Sequence, residues 1–562
     1  MKNDVLLAIL FVNIFCGFLS AQHISEFISL EPAIQDTDLF LPSTHSFQYI
    51  IETGDLLTQR GTVPDDLDFT GYVPINNSSK MGYLSINSED NPGGVIILDI
   101  ELNQENGEWI VNRSEAVDFS SFALIYPGTI ANCSGTVTPW NTIISCEEVT
   151  SYDTEDYCET NSGSLECLFY SKDTNNDGYY DHGWSIEIDP VTKTVIDQDG
   201  GRDGPDKLWA MGNFKHENVA IHSNNMTVYQ GADDTNGEGY LFKFVADNQE
   251  NLSAGDLYVY KGDKQDNGNW IQVNNSTISE QNTTLDQCAV LGATSFGGIE
   301  DVEINPIDGL IYFAVKREDI GAGIERGVVY RFDDSNPLDG TANVAIEIYV
   351  GGDVNYDGVP WGNGTDNLVF DNLGNLWVAQ DESGVDPRNY IWLVENGHTQ
   401  NNPKVKIFAR TPKGSEPTGL TFSPDYRYLF LSIQHPDENN SVTSQLDGYG
   451  IPRSFDKDVS IMIARKEFIN QDLTTLSVSD EAKRYFNLYP NPAEDKINIV
   501  FDQIVDVKDL QLFDIKGKKI QTSSYGVSPS IEIRTDQLSN GVYFLKLLID
   551  HNWIVEKILI SK

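Results

Sequence analysis

Most of the chain alternates between apolar and polar residues over short stretches, and turns rich in Gly, Asn and Asp separate these stretches. A period of two is typical of β-strands that have one buried face. The segment EDVEINPIDGLIY, which begins at Glu300, contains two such strands joined by a polar turn, as in a β-hairpin. No long segment has the period of an amphipathic helix. The pattern therefore predicts an all-β fold.

The hairpin at Glu300 belongs to an internal repeat. Similar segments begin at Glu217 (ENVAIHSNNMTVY), at Asp366 (DNLVFDNLGNLW, with one turn residue fewer) and at Thr418 (TGLTFSPDYRYLF). The copies lie 83, 66 and 52 residues apart, so each hairpin leaves room for two more strands before the next copy. Repeated four-stranded units of this kind are typical of β-propellers. The alternative is chance similarity, because turns between alternating strands look alike in many β proteins.

The composition changes near Glu481. Residues 481–562 contain 11 basic and 11 acidic residues, whereas the preceding part contains 26 and 74. Residues 470–480 are polar and rich in Thr and Ser, as expected of a linker. Short apolar strands separated by Asp, Asn and Gly turns follow, which predicts a small β-sandwich. We therefore predict a propeller in residues 22–470, a linker in 471–480 and a sandwich in 481–562.

The N-terminus has the pattern of a secretory signal. A charged start at Lys2 precedes an apolar run from Val5 to Leu19, and the small residues Ser20 and Ala21 follow. This pattern predicts a cleavable signal peptide in residues 1–21. No other stretch approaches the ~18 apolar residues of a membrane-spanning helix. The mature protein is therefore expected to be exported and to have no transmembrane segment.

The chain is strongly acidic, with 85 Asp and Glu against 37 Lys and Arg and a formal net charge of -48. Such a surface repels phosphate backbones, so we expect no nucleic-acid partner. The charge fits either a soluble exported surface or bound hard cations held by carboxylates. The pattern of acids along the repeat decides between these interpretations.

Cysteine usage suggests one unpaired thiol. Removal of the signal peptide takes Cys16 with it and leaves five cysteines: Cys133, Cys146, Cys158, Cys167 and Cys288. Cys158 and Cys167 are close enough in sequence for a local disulfide in an oxidising compartment. An odd number leaves one thiol over. We predict that it is Cys146, with Cys133 or Cys288 as the alternative.

Polar side chains recur where each repeated hairpin begins and ends. In an antiparallel hairpin these two positions lie side by side. The residues concerned are Glu217, Asn218, Glu300, Asp301, Asp366 and Asn367 at the starts, and Asp233, Asp234, Arg317, Glu318, Asp381 and Glu382 at the ends. In a propeller they would converge on one mouth of the central channel. Converging carboxylates repel each other unless cations neutralise them, so the pattern predicts metal. The alternative is a ring of solvated turn acids.

The residue types narrow the choice of metal. Only eight histidines occur in the chain, which disfavours a zinc site built from histidines. Clusters of carboxylate and amide oxygens suit calcium. A thiolate at Cys146, which Glu147 and Glu148 follow, would be a softer ligand that iron accepts and calcium does not.

Two further segments have the start of a calcium loop. DTNNDG supplies Asp173, Asn175 and Asp177, and DVNYDG supplies Asp353, Asn355 and Asp357. Both place oxygen ligands at the first, third and fifth positions and Gly at the sixth. Neither has Glu at the twelfth position, where Trp184 and Gly364 stand. Peripheral calcium sites are predicted here, with plain Asn/Asp turns as the alternative.

Six ordered motifs between Phe119 and Asp437 carry a family resemblance. They are TPWNTIISCEE (138–148), FKHENVA (214–220), GADDTNGEGYLFKFV (231–245), IEDVEINPIDGLIYFAV (299–315), DNLVFDNLGNLWVA (366–379) and EPTGLTFSPDYRYLFLSIQHP (416–436). Through them the chain resembles the PhoX-type alkaline phosphatases. The resemblance implies a six-bladed β-propeller whose channel mouth holds ferric and calcium ions joined through an oxo bridge.

The resemblance also implies metal ligands. By matching motif positions, Cys146 and Glu217 are expected to bind iron, and Glu300 is expected to be shared within the cluster. Four further ligands are implied by the motifs together with the hairpin pattern: Asp234, Asp366, Asp381 and Glu416.

The chain departs from the family at one position that bears on the substrate. Gly298 stands where the resemblance leads us to expect an Arg that holds the substrate phosphate. Loss of that side chain removes a bidentate charge-assisted contact. Three lysines are candidates for the family's phosphate-binding Lys: Lys215, Lys316 and Lys413.

The last 80 or so residues resemble the type A sorting domain of the type IX secretion system. The matching motifs are NLYPNPAEDKINI (487–499), LFDIKGKKI (512–520) and LSNGVYFLKL (538–547). The resemblance implies export through the periplasm and across an outer membrane by that machinery. The protein would then be secreted or attached to the cell surface, with the domain removed.

Together these features predict a secreted phosphoric monoester hydrolase that depends on Ca2+ and Fe3+ and acts on small phosphorylated substrates. The ions would position an oxygen nucleophile, so no catalytic side chain is assigned. One alternative is a propeller hydrolase with another substrate, such as a phosphodiester or a lactone. The other is a calcium-stabilised surface-binding propeller without catalysis.

Overall fold

The structure is a computed structural model of the 562-residue chain. It describes residues 22–562 except 60, 121, 123–127, 152, 154, 156–157, 159–171, 198–205, 235–236, 320–322, 324, 353–354, 357–358, 383–387, 470–485, 492, 515–517, 524–525 and 550–551. The predicted signal peptide and linker lie outside the described residues, as do Cys167, Asp353 and Asp357. The chain divides into two compact units, a larger one of residues 23–103 and 107–470 and a second formed mainly by residues 471–562.

The larger unit is built almost entirely of strands. They are β1 His45–Glu52, β2 Leu67–Pro74, β3 Met81–Ser88, β4 Gly94–Leu102, β5 Trp109–Ala116, β6 Asn132–Val137, β7 Ile143–Glu147, β8 Ser185–Asp189, β9 Thr194–Val195, β10 His216–Ile221, β11 Thr227–Ala232, β12 Gly239–Asn248, β13 Asn251–Gly262, β14 Asn267–Val273, β15 Ser295–Phe296, β16 Ile299–Ile304, β17 Ile311–Asp319, β18 Glu325–Phe332, β19 Asn343–Gly351, β20 Asn355–Tyr356, β21 Val359–Pro360, β22 Thr365–Phe370, β23 Leu376–Gln380, β24 Tyr390–Val394, β25 Val405–Arg410, β26 Glu416–Phe422, β27 Tyr428–Gln434, β28 Gln445–Leu446, β29 Pro452–Arg453 and β30 Val459–Arg465.

Helices are few and short. The described residues contain α1 Ile278–Asn282 and α2 Thr284–Leu291, with 3-10 turns at Ile75–Asn77, Trp209–Met211, Glu438–Val442 and Lys466–Phe468. The α1 helix begins with a capping box between Thr277 and Glu280, a start signal that is visible in the sequence. No helix among the described residues is long and apolar enough to cross a membrane.

The sheets of the larger unit have the arrangement of a β-propeller. Four of them have four antiparallel strands: β2 to β5, β6 to β9, β22 to β25, and β1 with β30, β27 and β26. Two further four-stranded runs, β10 to β13 and β16 to β19, join into one sheet because β14 pairs with β19. The pairing of β1 with β30 brings both ends of the unit into one sheet. The all-β propeller prediction is confirmed, and the number of blades stays a prediction.

Apolar side chains fill the space between neighbouring four-stranded units. One buried cluster combines Leu241 of the β10 to β13 run with Phe313 and Val328 of the β16 to β19 run. Aromatic stacking adds to such layers, as between Phe214 and Phe242, whose ring centroids are 4.4 Å apart. Each fully buried side chain of this size contributes about 1.5–3 kcal/mol to folding. The interior therefore holds the polar inner strands in fixed positions.

Hydrogen bonds also tie each inner strand to the next. The side chain of Asn218 accepts from the backbone N–H of Val302 at 2.7 Å, and Asp301 accepts from that of Leu368 at 2.6 Å. Asn367 accepts from the N–H of Gly419 at 2.6 Å. The second polar residue at the start of each hairpin therefore bonds to the next hairpin. The first polar residue, which is Glu217, Glu300 or Asp366, remains available at the channel mouth.

The second unit is all-β, as predicted, and its strands pair into one six-stranded sheet. Its strands are β31 Phe486–Tyr489, β32 Lys496–Asp514, β33 Lys519–Ser523, β34 Gly526–Arg534, β35 Gly541–Ile549 and β36 Asn552–Ile560. The first half of β32 pairs with β31 and β34, and its second half pairs with β33 and β35. Ile499, Leu512 and Leu547 belong to its buried core. The domain limits that we placed at residues 471 and 481 stay predictions.

Candidate metal centre

The same pairing register in several hairpins, which we call the register rule, places the side chains of the site at the channel mouth. In each of five hairpins a β-bulge interrupts the pairing just after the first strand begins, and a bulge re-aims the side chain next to it. The last aligned pairs before the bulge are Leu67 with Ser88, Asn132 with Glu147, His216 with Ala232, Ile299 with Val315, and Thr365 with Gln380. The residue that follows each member of these pairs lies in the site.

These positions carry nearly all the acids of the site. The pairs that follow the aligned residues are Asp68 with Glu89, Cys133 with Glu148, Glu217 with Asp233, Glu300 with Lys316, and Asp366 with Asp381. In a sixth hairpin the bulge follows Thr418. There the acid is Glu416, at the first residue of β26.

The side chains form two groups that we name by their ligand atoms. The thiol side consists of three linked triads, in each of which the ligand atoms lie within 4.8 Å of one another: Asp68/Glu89/Cys133, Cys133/Glu148/Glu217 and Glu217/Asp233/Glu300. The oxygen side is a fourth triad of Asp366, Asp381 and Glu416, within the same distance. Together they are the acid cluster. Another triad, Asp65/Asp66/Asp458, satisfies the same distance but includes an exposed acid and follows no such rule.

Cys133 contributes the sulfur atom of the acid cluster. Its thiol lies 3.3 Å from Oε2 of Glu217 and 3.4 Å from Oδ2 of Asp68, and donates to these carboxylates. Burial, with Asp68 and Glu217 nearby, raises the pKa of this thiol well above its usual range. A thiol among carboxylates is therefore held protonated unless a cation is present to favour the thiolate.

Cys146, which the sequence analysis assigned to iron, lies outside the acid cluster. Its thiol is 3.5 Å from the hydroxyl of Ser185, and it packs in an apolar cluster with Ile144 and Met211. The physical reason is its place within β7, which ends at Glu147. Only the residue after that strand, Glu148, reaches the mouth. Cys133, and not Cys146, therefore lies beside the carboxylates, and the identity of the iron ligand stays a prediction.

The expectation of a single unpaired thiol is also corrected. Cys133, Cys146 and Cys288 are all free and buried. Cys158 forms a disulfide, and its expected partner Cys167 is not among the described residues. Cys146 is therefore unpaired as predicted, but it shares that state with two others.

Five of the predicted ligands do come together: Glu217, Glu300, Asp366, Asp381 and Glu416. Asp234 belongs to none of the triads, because β11 ends at Ala232 and the first residue after it is Asp233. Asp234 instead lines a neighbouring cavity of about 300 Å³ together with Lys215. Sequence reasoning did not propose Asp68, Glu89, Cys133 and Glu148, which the structure brings into the triads. The signal that identifies them is the strand register, which the sequence does not display.

Burial and mutual repulsion dominate the electrostatics of the acid cluster. Burial, followed by the charges of Glu148 and Glu300, raises the pKa of Glu217 well above its usual range. The pKa of Glu300 is raised by burial and by Asp233, and burial raises that of Asp366 to about 7. Like charges about 4 Å apart repel by roughly 4 kcal/mol near a protein surface. Bound cations would convert this repulsion into attraction.

The donor atoms fit such cations. Within the described part of the chain, Oδ1 of Asp68 and Oδ1 of Asp233 are buried and have no hydrogen-bond partner. Leaving a buried polar atom without a partner costs about 1–3 kcal/mol. Carboxylate oxygens with unused lone pairs are the ligands that hard cations take. The acid cluster therefore has the composition and geometry of a metal centre.

One lysine lies within the acid cluster. Nζ of Lys316 is 3.1 Å from Oε1 of Glu300 and 3.3 Å from Oδ2 of Asp381. Burial lowers the pKa of Lys316, but Glu300, Asp366 and Asp381 outweigh it and raise the pKa well above its usual range. The other two candidate lysines are elsewhere. Lys215 pairs with Asp153 at 3.3 Å, and the exposed Lys413 pairs with Asp437 at 2.6 Å.

Gly298 adopts a backbone conformation that side chains rarely take, with φ at +82°. Its carbonyl accepts from the backbone N–H of Lys316 at 3.0 Å. An L-residue in the left-handed region costs roughly 1–2 kcal/mol. The glycine is therefore suited to this local backbone, and an Arg here would be strained.

In the predicted peripheral calcium loop at Asp173, side-chain oxygens accept hydrogen bonds from backbone N–H groups of the same loop. Oδ2 of Asp173 accepts from the N–H of Gly178 at 3.0 Å, and Oδ1 of Asn175 accepts from that of Asp177 at 3.0 Å. These bonds are those of an Asn/Asp turn. At the second segment Asn355 opens the short strand β20. Calcium at either segment stays a prediction.

Comparison with known proteins gives two family matches. The model of the family described as alkaline phosphatase PhoX matches residues 107–437. The model of the secretion system C-terminal sorting domain matches residues 487–561, within the second unit. No curated protein sequence matches the chain.

Solved structures give a fold match. The structure of Pseudomonas fluorescens PhoX in complex with vanadate, a transition state analogue, is similar with a TM-score of 0.59 at 21% identity and covers 79% of this chain and 98% of that one. A gluconolactonase from Xanthomonas campestris is more distant, with a TM-score of 0.32 at 8% identity over 78% of this chain and 98% of that one. The first match supports the propeller fold of the larger unit.

Proposed function

Since the chain belongs to the PhoX alkaline phosphatase family, we propose that it is a secreted metal-dependent phosphomonoesterase that acts on small phosphorylated substrates. Family membership makes it a phosphatase-type hydrolase, and the monoester specificity is our proposal. The observation that carries it is the acid cluster, in which five hairpins present their ligands by one register rule. A site assembled in this way is preorganised for charge that develops in a transition state.

The proposed ligand set exchanges two of the expected residues and adds three. Cys133 takes the place of Cys146, and Asp233 takes the place of Asp234, because only the former lie within the triads. Glu217, Glu300, Asp366, Asp381 and Glu416 remain. We add Asp68, Glu89 and Glu148 to the set for the same reason.

We assign the cations by ligand type. Thiolate ligands suit iron and do not suit calcium, so Fe3+ is proposed on the thiol side, held by Cys133 with Glu217 and Glu148. The oxygen side has carboxylates alone, so Ca2+ is proposed there. When bound, these ions supply positive charge for the phosphoryl oxygens and Lewis acidity for an oxygen nucleophile.

The protein's own part in the reaction is to position and to neutralise. The carboxylates of Glu217 and Glu300 are buried, and the hairpin register fixes their places on neighbouring inner strands. Holding reacting groups in place contributes much of the rate enhancement in phosphoryl transfer. No general acid or base side chain is assigned.

The second family match bears on location. A C-terminal sorting domain indicates secretion or export to the cell surface. We propose that residues 1–21 direct the chain to the periplasm and that the type IX secretion machinery recognises the second unit. Removal of that unit during export is part of the proposal.

A rival hydrolase function deserves a direct test because of one observation. Gly298 offers no cationic side chain to a phosphate, and its φ of +82° disfavours one. A phosphodiester or lactone substrate would depend less on a cationic side chain at this position. A binding propeller without catalysis would retain calcium and lack iron.

The test is elemental analysis of the purified full chain combined with an activity panel. We expect iron and calcium together, hydrolysis of phosphomonoesters, and inhibition by vanadate and inorganic phosphate. Treatment with a chelator should abolish activity, and reloading with both metals should restore it. Calcium without iron and without turnover would favour the binding propeller. Iron and calcium with turnover of diesters or lactones alone would contradict the monoester assignment.

A further inference from the structure

Lys316 occupies a ligand position of the acid cluster. It follows Val315, the last residue that pairs with β16 before the bulge after Ile299. In the four other hairpins that obey the same register rule, the corresponding residue is an acid: Glu89, Glu148, Asp233 and Asp381. One of five equivalent positions therefore carries a cation in place of a carboxylate.

The lysine bridges the two sides of the acid cluster. Its ammonium group contacts Glu300 of the thiol side at 3.1 Å and Asp381 of the oxygen side at 3.3 Å. The side chain is only 20% exposed, and that of Glu300 only 3%. Because both contacts are ion pairs, the ammonium stands where a ligated cation would share these two carboxylates.

The charge of the residue at position 316 affects how many metal ions the acid cluster can hold. A carboxylate at position 316 would add one negative charge and one more ligand, whereas Lys316 adds one positive charge. An ammonium and a divalent ion cannot both occupy the space between Glu300 and Asp381, since like charges at such distances repel strongly. A neutral side chain would leave both carboxylates available to a metal ion.

We propose that the ammonium group of Lys316 is a built-in cation of the acid cluster, which replaces one divalent ion between Glu300 and Asp381. The chain would then bind one metal ion fewer than the same cluster with a neutral residue at position 316. This inference rests on the metal centre of the proposed function. It concerns the number of ions and is independent of the substrate.

The test compares Lys316→Met with the unaltered full chain. Both proteins are dialysed against calcium, and bound calcium and iron are measured per chain. We expect Lys316→Met to bind about one additional calcium ion with unchanged iron. Lys316→Arg, which keeps the charge, should bind as the unaltered chain does. Lys413→Met is the matched control, because Lys413 is also paired with an acid but is exposed and outside the acid cluster.

Several outcomes would overturn the proposal. Equal calcium in Lys316→Met and the unaltered chain would show that the ammonium excludes no ion. Loss of iron or calcium from Lys316→Met would show that the lysine holds the ligands in place instead. A variant that folds only with calcium present would support the proposal, and one that fails to fold even with calcium would contradict it.

The same measurement separates this inference from the proposed function. An unaltered chain that binds neither iron nor calcium would contradict the proposed metal centre. Gain of an ion by Lys316→Met would still be measurable in that case. An unaltered chain with both metals, beside a variant with no gain, would refute the inference alone.

Discussion

The thiol side and the oxygen side of the acid cluster arise from the same backbone rule and differ in their atoms. Cys133 and Glu217 follow the last aligned residue of a first strand, and so does Asp366. Only the thiol side includes sulfur. The backbone thus decides where a ligand stands, and the residue type decides which cation it suits. Position and metal preference can therefore be tested separately.

The two sides also differ in burial. Each triad of the thiol side has one partly exposed acid and two buried residues, whereas the oxygen side has two partly exposed acids, Asp381 and Glu416, beside the buried Asp366. An ion on the oxygen side is therefore closer to solvent and should exchange more readily. Calcium ligands are often flexible and exchangeable, whereas a buried thiolate site retains its metal.

The largest effect should come from acids shared within the thiol side. Glu217→Gln and Glu300→Gln each remove a buried carboxylate from the triads of the thiol side. We expect each to lose bound metal and to lower kcat by a factor on the order of 10²–10³ or more, while the fold survives. Elemental analysis and turnover measure both effects. Glu187→Gln is the control, since Glu187 is a buried acid bonded to Trp140 and Thr142. Full metal occupancy in both site variants would show that these acids are ordinary turn residues.

An intermediate effect is expected from the oxygen side. Asp366→Asn should lose calcium and keep iron, because its triad lacks the thiol. We expect turnover to fall by a factor of about 10–100, less than for the thiol side. A chelator selective for calcium should reproduce the loss in the unaltered chain, and added calcium should reverse it. Loss of iron together with calcium in Asp366→Asn would mean that the two sides are one inseparable site.

Gly298→Arg tests whether an Arg at this position strengthens phosphate binding. Its loss of stability reports the backbone strain, and phosphate inhibition reports the affinity for phosphate. The backbone φ of +82° at this position should cost the variant about 1–2 kcal/mol of stability. A charge-assisted contact contributes about 1.5–3 kcal/mol, so phosphate inhibition should strengthen about tenfold if the Arg reaches the site.

Gly309→Arg is the matched control for that variant. Gly309 also has positive φ, at +75°, and its Cβ position is open, and it lies in the turn of the same hairpin. It should lose similar stability without a gain in phosphate binding. Equal phosphate inhibition in both variants would mean that another cation already fills the role or that phosphate is not the substrate.

The smallest effect should follow removal of the second unit. A chain that ends at Asp480 lacks the whole buried core of the second unit, in residues 486–560. We expect its metal content, turnover and thermal midpoint for the larger unit to be unchanged, because that unit has its own core and contains the entire acid cluster. Failure of the shortened chain to fold would contradict this division of the protein.

Sequence reasoning predicted the fold class because alternation and repeat spacing are local patterns. It also found Glu217, Glu300 and Asp366, which begin three recognisable copies of the hairpin. It missed Asp68 and Cys133, because their hairpins share the bulge but not the residue pattern of the repeat.

Two of the predicted ligands lie outside the triads for a related reason. Cys146 stands beside the acids Glu147 and Glu148 in sequence, yet it lies inside β7. Asp234 is one residue beyond the position that the register selects. A strand end cannot be read from sequence to a single residue, and at this site a single residue decides which side chain reaches the mouth.

The most direct test of the account is the iron content of two serine variants. Cys133→Ser removes the thiol that contacts Glu217 and Asp68, whereas Cys146→Ser alters a buried thiol that packs against apolar residues. We predict that Cys133→Ser is purified without iron, with its fold intact, and that Cys146→Ser retains iron even if it is less stable. Iron that is kept by Cys133→Ser and lost from Cys146→Ser would contradict the register rule and return the ligand to Cys146.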